Sequence, residues 1–175
     1  AVQRLGFGTW AWGNKLLWGY EEDADVELQA AFDAAICRSS LLDRRRFFFD
    51  TGDSYGTGAL EGRAEELLGR FRRRNADPRR CVIGTKLAVY PNRLTGASFE
   101  DACRASLARM GQERLELVQA HWSARNLQPW QEPALWDGLA RCHEAGLANA
   151  VGTSNFGPKQ LARVNAYWRE RGVPH

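Results

Sequence analysis

Lysine is almost missing from this chain: of its 24 basic residues only Lys15, Lys86 and Lys159 are not arginine. The 21 acidic residues leave a net charge of +3, too small an excess to mark nucleic acid or a membrane surface as a partner. The arginine runs at 44–46, 72–74 and 79–80 lack interleaved aromatics and fall at apparent element edges, so they read as solvated surface, with RNA binding the weaker alternative. Long apolar runs are also absent. None approaches the roughly 20 residues of a membrane-spanning helix, and no charged segment leads into an apolar stretch as a secretory signal would. Cys37, Cys81, Cys103 and Cys142 lie far apart, with no C-x-x-C and no paired histidines at ligand spacing. That excludes a recognisable metal site and predicts buried free thiols in a reducing compartment. Because the first residue is Ala1, the true N-terminus is expected to be missing.

What is present is ordinary globular material: 175 residues, 44% hydrophobic and 26% charged, enough for one cored domain. Short apolar strands alternate five times with amphipathic helices, the pattern of a parallel sheet with crossover helices. Strands are predicted at Leu5 to Thr9, Arg46 to Asp50, Cys81 to Lys86, Leu115 to Ala120 and Ala148 to Gly152. After the acidic Glu21 to Asp23, a helix is predicted to about Cys37. A second helix, near Leu60 to Arg74, carries Ala64, Leu67, Leu68 and Phe71 at one-face spacing. A third opens on a capping box of Ser98 and Asp101 and ends at Gly111; a fourth, with Leu135, Leu139 and Cys142 inward, stops at Gly146. The last starts at Pro158, turns Leu161, Val164 and Trp168 inward, and ends at Gly172.

Gly6-Phe7-Gly8 lacks the third glycine of a dinucleotide fingerprint, so a Rossmann fold is the poorer reading and an incomplete (β/α)₈ barrel the better one. In such a barrel the carboxyl ends of successive strands meet on one rim. Here that rim receives Thr9 and Trp10, Asp50 and Tyr55, Lys86, His121, and Ser154 with Asn155. Asp, Tyr, Lys and His form a proton-transfer set. A phenol is a poor acid near neutrality, but a neighbouring ammonium favours phenolate; Lys86 would supply it, Asp50 would hold Lys86, and His121 would orient a carbonyl. Such an acid protonates carbonyl oxygen as hydride reaches carbon, and hydride must come from a cofactor. Taken singly, Asp50 also fits a loop cap, Tyr55 a half-buried loop aromatic, Lys86 a snorkelling strand end and His121 a satisfied core histidine.

The segments Phe48 to Gly56, Gly84-Thr85-Lys86, Val118 to Trp122 and Val151 to Phe156 resemble, in order and spacing, the signatures of the aldo-keto reductases. The likeness runs from Leu5 to the last helix, and Gly8 to Gly13 with Leu67 to Phe71 resembles the plastid-type branch of plants and algae. The resemblance implies an aldo-keto reductase (β/α)₈ TIM barrel, present here as residues 1–175 with strands one to five and without strands six to eight. It implies NADPH-dependent reduction of aldehydes or ketones in a soluble intracellular protein of plastid or cytoplasm, with a small carbonyl compound as partner. Asp50, Tyr55, Lys86 and His121 would be the catalytic residues. Gly8, Thr9, Trp10, Asp50, Ser154 and Asn155 would bind the cofactor, and Trp10, Trp12 and Trp122 would wall the substrate pocket. A non-catalytic binding or regulatory protein of the same fold, or an inactive fragment, is the alternative. Without three βα units, strands one and five are expected to be open edges, and a chain of this extent is expected to bind NADPH weakly or not at all. From Cys37 to Arg46 the family's short glycine turn is replaced, predicting an extended helix or a longer loop.

Overall fold

In the computed structural model, which describes residues 2–42, 45–125 and 127–175, the chain divides into two compact units. The first comprises Ala1–Gly84 with Arg109–Gln112, the second Thr85–Ala108 with Glu113–His175.

The first unit is built on three parallel strands. Strand β1 (Val2–Gly8) pairs with β2 (Arg46–Asp50), setting Gly6 against Phe48 and Gly8 against Asp50. Strand β3 (Cys81–Leu87) begins in this unit, and β2 pairs along it from Phe47 against Cys81 to Asp50 against Gly84. The helices are α1 (Lys15–Trp18), α2 (Asp25–Leu42) and α3 (Arg63–Arg74). Three consecutive phenylalanines suit a strand, because alternate rings then point to opposite faces. Phe49 is fully buried and stacks on Phe32 of α2, with ring centroids 4.7 Å apart. Phe71 of α3 and Trp12 extend the stack, 5.5 Å from each other. On α3 the predicted stripe of Ala64, Leu67, Leu68 and Phe71 is buried, each of the larger side chains contributing about 1.5–3 kcal/mol by leaving water. Gly69 lets α3 approach closely: a Cβ there would lie 2.5 Å from the Met110 carbonyl oxygen.

Two charged groups are drawn into this packing. Glu65, wholly buried, accepts a 2.7 Å hydrogen bond from Arg109 Nε. Asp25, at the start of α2, accepts from Tyr20 Oη at 2.6 Å and from Arg63 Nη2 at 3.1 Å, and also from Arg70 Nη2. Burial pushes the Asp25 carboxyl up, but hydrogen bonds from Tyr20 and Arg70 and the charges of Arg70 and Arg63 outweigh it and hold the group below its ordinary range. Burial, with the Asp25 carboxylate beside it, raises the Tyr20 phenol, which therefore stays a donor.

The second unit continues β3, where His121 N donates to Leu87 O at 3.0 Å just beyond β4 (Leu115–Ala120). Strand β4 pairs in parallel with β5 (Ala148–Thr153), from Leu115 against Ala148 to Ala120 against Thr153, so the strand order is β1-β2-β3-β4-β5. Its helices are α4 (Gly96–Met110, whose last two residues belong to the first unit), α5 (Glu132–Glu144) and α6 (Pro158–Glu170). Strands β2 and β4 have the predicted bounds, whereas several other expectations need correction. Helix α4 starts earlier, because Thr95 Oγ1 accepts from Ser98 N at 3.2 Å while Ser98 Oγ accepts from Thr95 N at 3.3 Å; Thr95, and not Ser98, is the cap. Helix α2 continues past Cys37 to Leu42, the extended-helix alternative, since no glycine stops it; Asp43 and Arg44 lie outside the described residues. Cys37 is exposed, unlike the three buried thiols. On α6, Val164 and Trp168 are buried but Leu161 is 40% exposed. Beyond that helix, β5 meets a partner on its outer side: Val151 N donates to Pro174 O at 2.9 Å, so it is not wholly an open edge. Among the described residues no helix is long and apolar enough to cross a membrane.

Candidate active site

The strands pair in parallel within each unit, β1 with β2 and β2 with β3 in the first and β4 with β5 in the second, so each unit carries the ends of these strands on one side. In the first unit Gly8 closes β1 opposite Asp50, and the next residue ties the two strands together: Thr9 donates to Asp50 O from both N (3.0 Å) and Oγ1 (3.1 Å). Thr51 N then donates to Gly84 O at 2.9 Å, holding the residue after Asp50 in register with β3.

Tyr55 sits in a turn closed by its own N–H on Gly52 O at 3.1 Å, and its ring lies directly over Gly52. A Cβ on Gly52 would meet the ring at 3.2 Å, so the glycine makes the ring's seat. Gly56, with φ of 136°, passes so close to Leu60 that no side chain fits there. Only 9% of Tyr55 is exposed. Both glycines are positioning residues that the sequence shows only as spacers, and the signal for them is their place on either side of the tyrosine.

Trp10 is half exposed and meets Trp18 of α1 edge-on, with centroids 5.9 Å apart. Helix α1 is an addition to the elements expected from the sequence. Asn14 caps it by accepting from Leu17 N at 3.0 Å, and Gly19 stops it in the left-handed region, leaving four residues with no periodicity to read. Trp12 behaves differently from Trp10. It is 2% exposed, packed on Phe7 and Phe71 in the aromatic stack, so the expectation that it walls a pocket gives way to a packing role.

In the second unit Lys86 is the penultimate residue of β3, a strand buried at all seven positions, and is itself 7% exposed. His121 follows β4 directly, its ring 4.6 Å from the ring of Trp122. The ends of β4 and β5 are pinned together: Ser154 N donates to Ala120 O at 2.8 Å and Asn155 Nδ2 donates to His121 O at 2.9 Å. Asn155 also donates to Ser154 Oγ at 3.2 Å and is the one non-glycine residue at positive φ (58°) among the described residues. A left-handed asparagine at a strand end is a local cost that structures retain at functional positions. The sequence holds no mark of this conformation. Gly8, Thr9, Trp10, Asp50 and Tyr55 thus share the first unit, and Lys86, His121, Trp122, Ser154 and Asn155 the second.

Parallel βα units with polar residues at or just past their strand ends have the layout of a (β/α) barrel fold. The model of the Aldo/keto reductase family matches residues 4–174, and this chain belongs to that family. It is 48% identical over 178 residues to chloroplastic pyridoxal reductase of Arabidopsis thaliana, an alignment covering 99% of this chain and 47% of that protein. Among solved structures, a thermostable aldo-keto reductase in complex with the inhibitor epalrestat superposes with a TM-score of 0.72 at 22% identity, covering 93% of this chain and 53% of the other. An aldo/keto reductase from Klebsiella pneumoniae in complex with NADP and acetate gives 0.69 at 25% identity, covering 97% and 49%. The chain spans about half the length of the relatives it matches.

Proposed function

We propose that this chain is the proton-transfer part of an NADPH-dependent oxidoreductase that reduces aldehydes or ketones to alcohols. Its family membership across residues 4–174 carries the reading, because within that match Asp50, Tyr55, Lys86 and His121 each fall at or just past a strand's carboxyl end.

Tyr55 is the general acid in this proposal. Its Oη gives a proton to the carbonyl oxygen of the substrate, and the resulting phenolate is stabilised by the Lys86 ammonium. The Asp50 carboxylate positions the Lys86 side chain, and His121 donates a hydrogen bond that orients the carbonyl. Bound dihydronicotinamide supplies the hydride that no side chain has. Its carboxamide needs both an acceptor and a donor. Ser154 and Asn155, a hydroxyl and an amide side by side and not buried at the end of β5, offer that pair. Gly8, Thr9, Trp10 and Asp50 are the further cofactor residues; open space at the Cβ position of Gly8 leaves room for a ligand against its backbone. Trp10 and Trp122 are the proposed pocket aromatics. Pyridoxal, the substrate named for the Arabidopsis relative, is the first aldehyde to try.

The test is Tyr55→Phe in a complete barrel carrying this chain, assayed by NADPH absorbance with pyridoxal and with a nitrobenzaldehyde. Loss of general acid catalysis lowers kcat by about 10²–10⁴-fold with cofactor binding retained. An undiminished rate refutes the assignment.

A further inference from the structure

Most arginines of the second unit are spoken for. Arg104 and Arg141 pair with Glu100, Arg171 with Asp137 and Glu144, while Arg93 and Arg114 donate to the carbonyls of Ala88 and Gly146. Arg125, Lys159 and Arg163 differ: among the described residues they form no ion pair, and all three line one hollow of about 500 Å³. Arg125 comes from the loop after β4, and the other two from the first turns of α6.

This arrangement costs free energy twice over. Lys159 and Arg163 are like charges at i, i+4, which repel across a helix turn. Lys159 also sits in the first turn of α6, where the helix dipole disfavours a cation and where no acidic residue is present. Local rules broken without internal compensation are the mark of a functional position.

The segments that carry the cations are tied together. Ser123 Oγ accepts from Arg125 N at 3.1 Å and from Gln160 Nε2 at 2.6 Å, and donates to the buried Glu132 at 2.5 Å. Gln160 Oε1 in turn accepts from Gly157 N at 3.3 Å. One hydroxyl thus joins the backbone of the β4 loop to α5 and α6, so the segments bearing the charges need no ordering when a ligand binds. Among the described residues Glu132 is the one carboxylate on the adjoining hollow; the Ser123 hydroxyl donates to it without neutralising it, so across the two hollows three cations face a single anion.

That second hollow, of about 280 Å³, shares Arg125, Gln160 and Arg163 with the first and adds Trp136, Pro129 and Pro133. Together the two fall in the size range of small-ligand sites, charged at one end and apolar at the other. We propose that this groove binds an aryl phosphate monoester, its phosphate on Arg125, Lys159 and Arg163 and its ring toward Trp136. Three unpaired cations match a dianionic head, and the indole and proline surfaces match a flat apolar body. The site stands on the second unit alone and does not depend on the oxidoreductase assignment.

The experiment is calorimetric titration of the purified protein with phenyl phosphate, inorganic phosphate and phenol, with ³¹P line width as an independent readout. Phenyl phosphate is expected to bind saturably at one site, inorganic phosphate more weakly, and phenol not at all. Arg163→Gln and Arg169→Gln remove the same charge from the same helix. The first is expected to weaken binding about tenfold, as loss of a charge-assisted hydrogen bond does, and the second less than about twofold. Both side chains are exposed, so circular dichroism should show unchanged folding. Absence of saturable binding, equal weakening by the two substitutions, or binding of phenol as tight as that of phenyl phosphate overturns the proposal. An equal effect would leave only a general electrostatic attraction.

Discussion

Asp25→Asn isolates the charge at the centre of the first unit's polar cluster. The wild-type carboxylate is 14% exposed, accepts from Tyr20 Oη and from Arg63 Nη2 at 3.1 Å, and holds Arg70 as well. Removing one member of a buried ion pair costs about 3–5 kcal/mol, and hydrogen bonds to charged groups contribute about 1.5–3. The asparagine oxygen still accepts, and Arg63 and Arg70 are 18% and 33% exposed, so water takes up part of the loss. A destabilisation of about 2 kcal/mol follows at pH 7. With a urea slope near 2 kcal/mol per molar, the midpoint should fall by about 1 M.

The pH dependence has a definite sign. The folded carboxyl lies below its ordinary value of 3.8, so the stabilisation is fully present above that value and disappears as pH falls through the lower, folded one. Urea titrations at pH 7 and at stepped values below 4 should show the wild-type advantage shrinking toward zero in acid. Equal midpoints at pH 7, or a deficit unchanged in acid, would refute the claim that charge on Asp25 stabilises the unit.

Arg109→Met removes the 2.7 Å cationic partner of the wholly buried Glu65 carboxylate and is expected to cost about 3 kcal/mol, the low end for a buried pair because Arg109 is 27% exposed. Adding Glu65→Gln should recover part of that loss in a thermal double-mutant cycle, and strict additivity would show the pair to be uncoupled. Asn155→Ala forces a Cβ residue without a local amide into the left-handed region and removes the bond to His121 O, for about 2 kcal/mol in all. Asn155→Gly relieves the backbone cost and should retain roughly half the loss. Equal melting temperatures for the two variants would mean that the left-handed backbone is not the source of the cost.

Parts of the fold were legible because local chemistry and global packing agree there. The α3 stripe, the Phe47 to Asp50 strand and the stops at Gly111, Gly146 and Gly172, all at positive φ, each combine a period with punctuation. Helix α1 was not legible, since four residues cannot display a 3.6-residue repeat and its hydrophobic Leu16, Leu17 and Trp18 point to solvent. Leu161 shows the converse, an apolar residue at a helical spacing that remains at the surface, as many apolar residues do. At the rim, residue type and strand-end position identify candidates but not support. The seat Gly52 makes for Tyr55, the left-handed Asn155 and the burial of Trp12 arise from backbone geometry and ring packing that residue spacing does not encode.

With only three lysine side chains in the sequence, chemical labelling of lysine becomes close to a single-site measurement. Lys15 and Lys159 are solvent-exposed and should acetylate quickly, whereas Lys86 on its fully buried strand should react only when the fold opens. Mass spectrometry of timed acetylation would therefore clock the opening around Lys86 directly, against two internal references in the same molecule.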